Sequence, residues 1–303
     1  MHPRNHEIPS KDTFTRRRAL AAAAFVGASA LTNGRPIAAQ PTLQEGRIVQ
    51  KGRIRQAICP GCLSKARMST EERIATVARM GLAGMDFVGR SDWPLLKKHG
   101  LVATMVAGAG SIKRGLNDKS LHGKFLEDFK SNIAAAAEFG WPNVICMAGD
   151  RADIGDGEGM DNCLLILREA VKIAEDHGVT ICMELLNSKV DHPGYMADRS
   201  AWGFELCRRV GSPRFKMLYD IYHMQVMEGD LIATIRKNIR HIGHFHTAGV
   251  PGRHELDENQ EIYYPAVMRA IVETGYDGYV AHEYSPVRDA MASLEQAVRT
   301  CDV

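Results

Sequence analysis

Short apolar runs and longer, helically patterned stretches alternate along the chain from residue 54 onward. The apolar runs cover residues 54–59, 84–88, 101–107, 143–147, 179–185, 215–220, 241–247 and 278–283. Each has strand length and follows a turn signal such as Phe139-Gly140-Trp141-Pro142 or His177-Gly178. Between the runs, apolar residues recur at helical spacing, and Leu164, Leu167, Val171 and Ala174 mark one such stripe. Ser69-Thr70-Glu71-Glu72 reads as a helix start, with Glu72 spaced to close a capping box on Ser69. Eight strands and eight helices in strict alternation imply parallel strands joined by helical crossovers. Eight such units close into an α/β fold, the (β/α)8 TIM barrel, of about 250 residues. An open doubly wound sheet is the alternative, but it calls for a glycine-rich phosphate loop after the first strand. Here Cys59-Pro60-Gly61-Cys62-Leu63 stands in that place. Neither a second domain nor a low-complexity segment is expected.

Residues 1–39 depart from this plan. Thr15-Arg16-Arg17-Arg18-Ala19-Leu20 opens an alanine-rich run, and Ala28-Ser29-Ala30 supplies small residues suited to cleavage. The arginines resemble a twin-arginine export signal, with Ala19 standing where a bulky apolar residue is usual. Pro36-Ile37-Ala38-Ala39 offers a second cleavage region. The expected division is a signal peptide and linker over 1–39 and one barrel over 40–303, with the mature protein exported to the periplasm.

Composition narrows the partners. The 303-residue chain is 45% hydrophobic and 24% charged, as ordinary globular proteins are. Its formal net charge is +2, and the first 30 residues hold five Lys/Arg against two Asp/Glu, so the mature protein is close to neutral. Nucleic acid is therefore not an expected partner. No run of about 18 apolar residues marks a membrane-spanning helix. The seven cysteines are odd in number and scattered, which is not a disulfide framework. Cys59 and Cys62 have redox-motif spacing, but the surrounding element order is not thioredoxin-like.

In a barrel the reactive groups sit at the C-terminal ends of strands. The last ionisable residues of the final four runs are Glu184, Asp220, His246 and Glu283. Side chains alternate along a strand, so each shares a face with the residue two before it: Cys182, Leu218, His244 and Ala281. Three carboxylates and an imidazole converging on one point call for a cation. Mixed oxygen and nitrogen ligands suit Mn²⁺, Mg²⁺ or Co²⁺ better than a thiolate-seeking metal. A single acidic strand end is more often a helix cap or ion-pair partner; the four in register carry the signal. The Gly/Pro break after Thr247 reads as the loop leaving the seventh strand.

The stretches Leu218-Tyr219-Asp220-Ile221-Tyr222-His223-Met224-Gln225, Val250-Pro251-Gly252-Arg253-His254-Glu255 and His282-Glu283-Tyr284 resemble the xylose-isomerase-like barrel superfamily. Within it, the chain is most similar to the hydroxypyruvate isomerases and the related ketose 3-epimerases. The resemblance is densest over residues 140–285. It implies a divalent metal held by Glu184, Asp220, His246 and Glu283, with His223 and Arg253 on the substrate. The chain departs from the pattern at His246, where hydroxypyruvate isomerases tend to carry Gln and the epimerases His.

These residues suggest proton transfer beside a carbonyl, with Glu184 and Glu283 as catalytic acid and base on a small carbohydrate or keto-acid substrate. Isomerisation, epimerisation and β-elimination share the enediolate, so an exported 3-keto-sugar lyase or hydratase is the alternative on the same site. A metal-dependent endonuclease would need more His and Asp ligands and a basic groove. A non-catalytic sugar binder would not need two opposed glutamates. Homo-oligomerisation is left open. Lesser candidates are Asp150, Arg151, His192 and Tyr195 at the mouth, and Trp93 and Trp202 as pocket walls, though the tryptophans fit packing better. His99, His122 and His177 read as helix-end residues.

Overall fold

The computed structural model describes residues 46–303. The expected signal segment and the boundary at residue 39 lie outside the described residues. Eight parallel strands close into a barrel in sequence order. They are β1 (Arg55–Ile58), β2 (Gly84–Asp86), β3 (Val102–Ala109), β4 (Asn143–Cys146), β5 (Thr180–Leu185), β6 (Phe215–Asp220), β7 (Ile242–Thr247) and β8 (Tyr279–His282). The seam is β1 on β8, paired from Arg55↔Tyr279 to Ile58↔His282. The helices are α1 (Thr70–Met80), α2 (Trp93–Lys98), α3 (His122–Phe139), α4 (Asp156–His177), α5 (Ser200–Val210), α6 (Ile221–Met227), α7 (Leu231–Asn238), α8 (Tyr264–Glu273) and α9 (Ala290–Cys301).

Local chemistry explains the element ends. Ser69 and Glu72 form the expected capping box at the start of α1, and Gly81 in the left-handed region closes that helix. The expected stripe on α4 is buried at Leu167, Val171 and Ala174 and half-buried at Leu164. The β6–β7 crossover differs from expectation, since it holds two helices rather than one. Gly229 and Asp230 both take positive φ there, at 71° and 43°, and break the helical run between α6 and α7. Glu283 falls one residue beyond β8 rather than inside it. No helix among the described residues is long and apolar enough to cross a membrane.

Two apolar layers hold the barrel. The larger lies between strands and helices. The smaller fills the barrel interior, where Met105, Ile145, Cys182 and Leu218 pack with Met147. Those four come from β3, β4, β5 and β6, and they form a water-excluding floor beneath the strand ends.

His282 points the other way, into the outer layer at the seam. The Gln56 amide nitrogen donates to the Val298 carbonyl (3.1 Å), which leaves its oxygen to accept from His282 Nε2 (2.9 Å). The other ring nitrogen then accepts from the Thr247 hydroxyl (2.9 Å). Burial holds this neutral imidazole down at about 4. Its native value lies below the unfolded value of about 6.5, so the unfolded chain binds the extra proton between those limits. The stabilisation is complete above pH about 6.5 and is lost as pH falls towards 4, by up to about 3 kcal/mol. Denaturant unfolding of wild type and His282→Asn across that window should show a shallower pH slope in the variant. Equal slopes would remove His282 from the acid response.

Candidate metal centre at the barrel mouth

Parallel strands present all their C-terminal ends at one rim, and four side chains meet there. Glu184 lies in β5, Asp220 ends β6, His246 lies in β7, and Glu283 follows β8. Asp220 and His246 are direct partners in register. One ligand atom from each of the four lies within 4.8 Å of all the others. His246 Nδ1 is 2.9 Å from Glu283 Oε2, 3.3 Å from Glu184 Oε1 and 4.0 Å from Asp220 Oδ2. Glu184 Oε1, Asp220 Oδ2 and His246 Nδ1 are buried and have no hydrogen-bond partner. Buried polar atoms are almost always partnered. Three orphaned electron-pair donors converging on one point fit a bound divalent cation.

Asp220 divides its labour. It is the N-cap of α6, and its Oδ1 accepts from the His223 backbone N–H (3.1 Å). That bond fixes the carboxylate plane and leaves Oδ2 facing the other ligands. The same turn brings the His223 ring to the site. The backbone N–H of Asn187 donates to His223 Nδ1 (3.1 Å), so that nitrogen is an acceptor. The proton therefore sits on Nε2, which is 3.6 Å from Asp220 Oδ2 and has no hydrogen-bond partner. Burial holds His223 well below the ordinary imidazole range, so it is a neutral donor aimed at the mouth.

Arg253 returns over the site from the loop after β7, in the left-handed region at φ 58°. Its guanidinium donates to Glu283 Oε2 (2.5 Å) and lies 3.7 Å from Asp220 Oδ2. The carboxylates respond differently to this setting. Burial raises Glu184 and Asp220 above the usual carboxylate range. Burial pushes Glu283 up as well, but His246 and Arg253 beside it outweigh that and hold it at about 2. The two glutamates are thus driven in opposite directions by their neighbours.

The structure brings Glu184, Asp220, His223, His246, Arg253 and Glu283 together. Of the lesser candidates, the His192 ring stands 5.3 Å from that of His223. Tyr195 is fully buried and tethers loops, donating to the Glu184 carbonyl (2.9 Å). Arg151 is taken up by Asp156 and Asp198 (2.6 and 2.9 Å), and Asp150 pairs with Tyr195 in an isolated antiparallel bridge. Trp93 donates to the Val88 carbonyl (2.9 Å) and packs on Phe139 and Trp141, while Trp202 donates to the Asp156 carbonyl (3.1 Å); neither walls the site. His122 and His177 bond backbone carbonyls in the helical layer. Cys59 and Cys62 are free, and the Cys59 thiol lies 3.9 Å from His246 Nε2. One residue not singled out in the sequence is Asp86 of β2, whose Oδ2 is 2.9 Å from His246 Nε2. A lone acid ending a three-residue buried strand was the only sign of it.

The model of the family described as Xylose isomerase-like TIM barrel matches residues 93–301. The chain belongs to this family. The 2-oxo-tetronate isomerase of Cupriavidus necator is 36% identical over 172 residues, which are 55% of this chain and 65% of that protein. The hydroxypyruvate isomerase of Escherichia coli is 28% identical over 235 residues, 73% of this chain and 90% of that protein. The matches to the first three curated relatives span only 47–65% of their lengths. A crystal structure titled AP endonuclease, family 2, from Brucella melitensis has a TM-score of 0.73 at 25% identity, covering 80% of this chain and 96% of that one.

If the four converging atoms hold a cation, isothermal titration should give about one divalent ion per chain. Asp220→Ala should weaken binding by orders of magnitude, as removal of a direct ligand does. Wild-type affinity in that variant would exclude Asp220 from the centre.

Proposed function

We propose that the protein is a divalent-metal-dependent isomerase or epimerase acting on a small hydroxy-carbonyl compound, a keto acid or ketose, by proton transfer through an enediolate. The convergence of Glu184, Asp220, His246 and Glu283 with three orphaned buried ligand atoms carries this reading. The similarity to enzymes named 2-oxo-tetronate isomerase and hydroxypyruvate isomerase supports the substrate class. A bound Mn²⁺, Mg²⁺ or Co²⁺ supplies Lewis-acid polarisation of the substrate carbonyl and neighbouring hydroxyl.

The chain's own residues do the rest. One of Glu184 and Glu283 takes the proton from carbon, and the other returns one to the same or the adjacent carbon. The His223 Nε2–H and the Arg253 guanidinium stabilise the oxyanion that develops. The floor of Met105, Ile145 and Leu218 keeps water from beneath the site.

This chemistry requires the substrate's α-hydrogen to exchange with solvent deuterium. Glu283→Gln should keep much of the ion affinity, because an amide oxygen still coordinates, and should lose about 10²–10⁴-fold in turnover. Turnover with no solvent exchange would mean a hydride shift and would end the two-glutamate scheme. An unsaturated product would mean elimination from the same enediolate.

We further propose that the reaction takes place outside the cytoplasm, on the strength of Arg16-Arg17-Arg18 and the run that follows. Replacing the three arginines with lysine should hold the precursor inside the cell. Mature protein still found in the periplasm would refute export by this route.

A further inference from the structure

β2 ends with an irregularity. Met85 pairs with Ala103 and Asp86 with Met105, so Thr104 of β3 has no partner across the ladder. This is a bulge, a device that re-aims a side chain. Here it turns the Thr104 hydroxyl onto Asp86 Oδ1, to which it donates. The other carboxylate oxygen, Oδ2, lies 2.8 Å from His244 Nε2 and 2.9 Å from His246 Nε2. Asp86, Thr104, His244 and His246 are all fully buried. Phe87 follows Asp86 with φ at 54°, a strained value for an aromatic residue, and its N–H donates to the Met105 carbonyl (2.8 Å). The chain beyond β2 is therefore pinned on both sides of Asp86.

The carboxylate has no acceptor among its neighbours; each of its contacts is to a donor. A neutral imidazole that gives its Nε2 proton to Asp86 keeps its lone pair on Nδ1, and an imidazole must be neutral to ligate a metal. For His246 that nitrogen is the one that meets Glu184, Asp220 and Glu283. We infer that Asp86 is a positioning residue: it fixes the tautomer and ring orientation of His246 so that Nδ1 is offered to the cation, while Thr104 and His244 hold Asp86 in place. Carboxylates set behind a ligating imidazole do this in metal sites generally, and they raise the basicity of the ligand. The pair His244 and His246, two apart on one strand face, thus has a division of roles: the upper ring presents a ligand atom and the lower one braces the carboxylate that orients it.

This inference rests on the metal reading proposed above, and the test separates the two. Protein freed of metal with chelator is titrated with Co²⁺ and with Mn²⁺ by calorimetry, for wild type, Asp86→Asn, Thr104→Val and Asp220→Ala. Asp86→Asn keeps the volume but loses the charge. Its amide either accepts more weakly from His246 or donates to Nε2 and drives the proton onto Nδ1. Kd should rise about 10–100-fold, the usual effect of removing such a partner. Thr104→Val leaves every histidine contact in place and should raise Kd by less, in the same direction. In the zinc-loaded, ¹⁵N-histidine-labelled protein, His246 should be protonated at Nε2. Wild-type Kd in Asp86→Asn, with Asp220→Ala impaired, would overturn the role of Asp86 and leave the metal centre standing. Should Asp86→Asn not fold, unchanged affinity in Thr104→Val, or a zinc-bound His246 protonated at Nδ1, has the same force. A wild-type protein that binds no ion overturns both.

Discussion

Three carboxylates within 4.8 Å of one another repel strongly when all are ionised. At an effective dielectric of about 20, each pair costs at least roughly 3 kcal/mol. Three pairs together approach about 10 kcal/mol, the order of a whole domain's stability. Positive charge is brought to it by Arg253, which is bonded to Glu283 and stands over Asp220, and burial favours the uncharged forms of Glu184 and Asp220. Even so, Glu184 and Asp220 keep orphaned oxygens that face inward. Much of the rim, from the strained backbone at Arg253 to the capped turn at Asp220, serves to hold like charges where the proposed cation would sit.

The barrel makes this concentration of charge affordable. Residues from 184 to 283 are brought together because every crossover is right for a parallel strand, and every strand ends at the same rim. The rigidity comes from below. An apolar plug of Met105, Ile145, Cys182 and Leu218 fills the barrel, and the seam is locked by the buried Gln56–His282–Thr247 chain. The acids are thus set at or just beyond strand ends whose positions are fixed by the apolar packing beneath them.

The sequence disclosed the parts governed by period and position. Strand runs bounded by turns, and polar residues at the ends of the last four, sufficed to place Glu184, Asp220, His246 and Glu283. His223 and Arg253 came through resemblance, because a helix-turn spacing and a loop return carry no period of their own. Asp86 was not legible. Its strand is three residues long, and its partners lie 18, 158 and 160 positions away. The bulge at Thr104 that directs a hydroxyl onto it has no local signature. The split of the β6–β7 crossover into two helices was hidden for a similar reason. It depends on positive φ at Gly229 and Asp230, and an aspartate there does not announce a left-handed turn.

The two histidines that face the mouth show how neighbours, rather than residue type, decide function. His223 receives the Asn187 backbone N–H at Nδ1, so it keeps its proton on Nε2 and shows that proton to the site. His246 meets a carboxylate at Nε2, so as a neutral ring it shows a lone pair on Nδ1. Each ring is buried, and the two turn opposite faces of the same imidazole chemistry to the mouth: His223 offers an N–H, and in the metal-bound state proposed above His246 would offer a lone pair. Exchanging those tautomers would set a proton where the proposed cation would sit and a lone pair where the proposed oxyanion would develop. The assignment is set at two atoms outside the cluster of four, the amide nitrogen of Asn187 and Oδ2 of Asp86, so the face each ring turns to the mouth is decided one layer behind it.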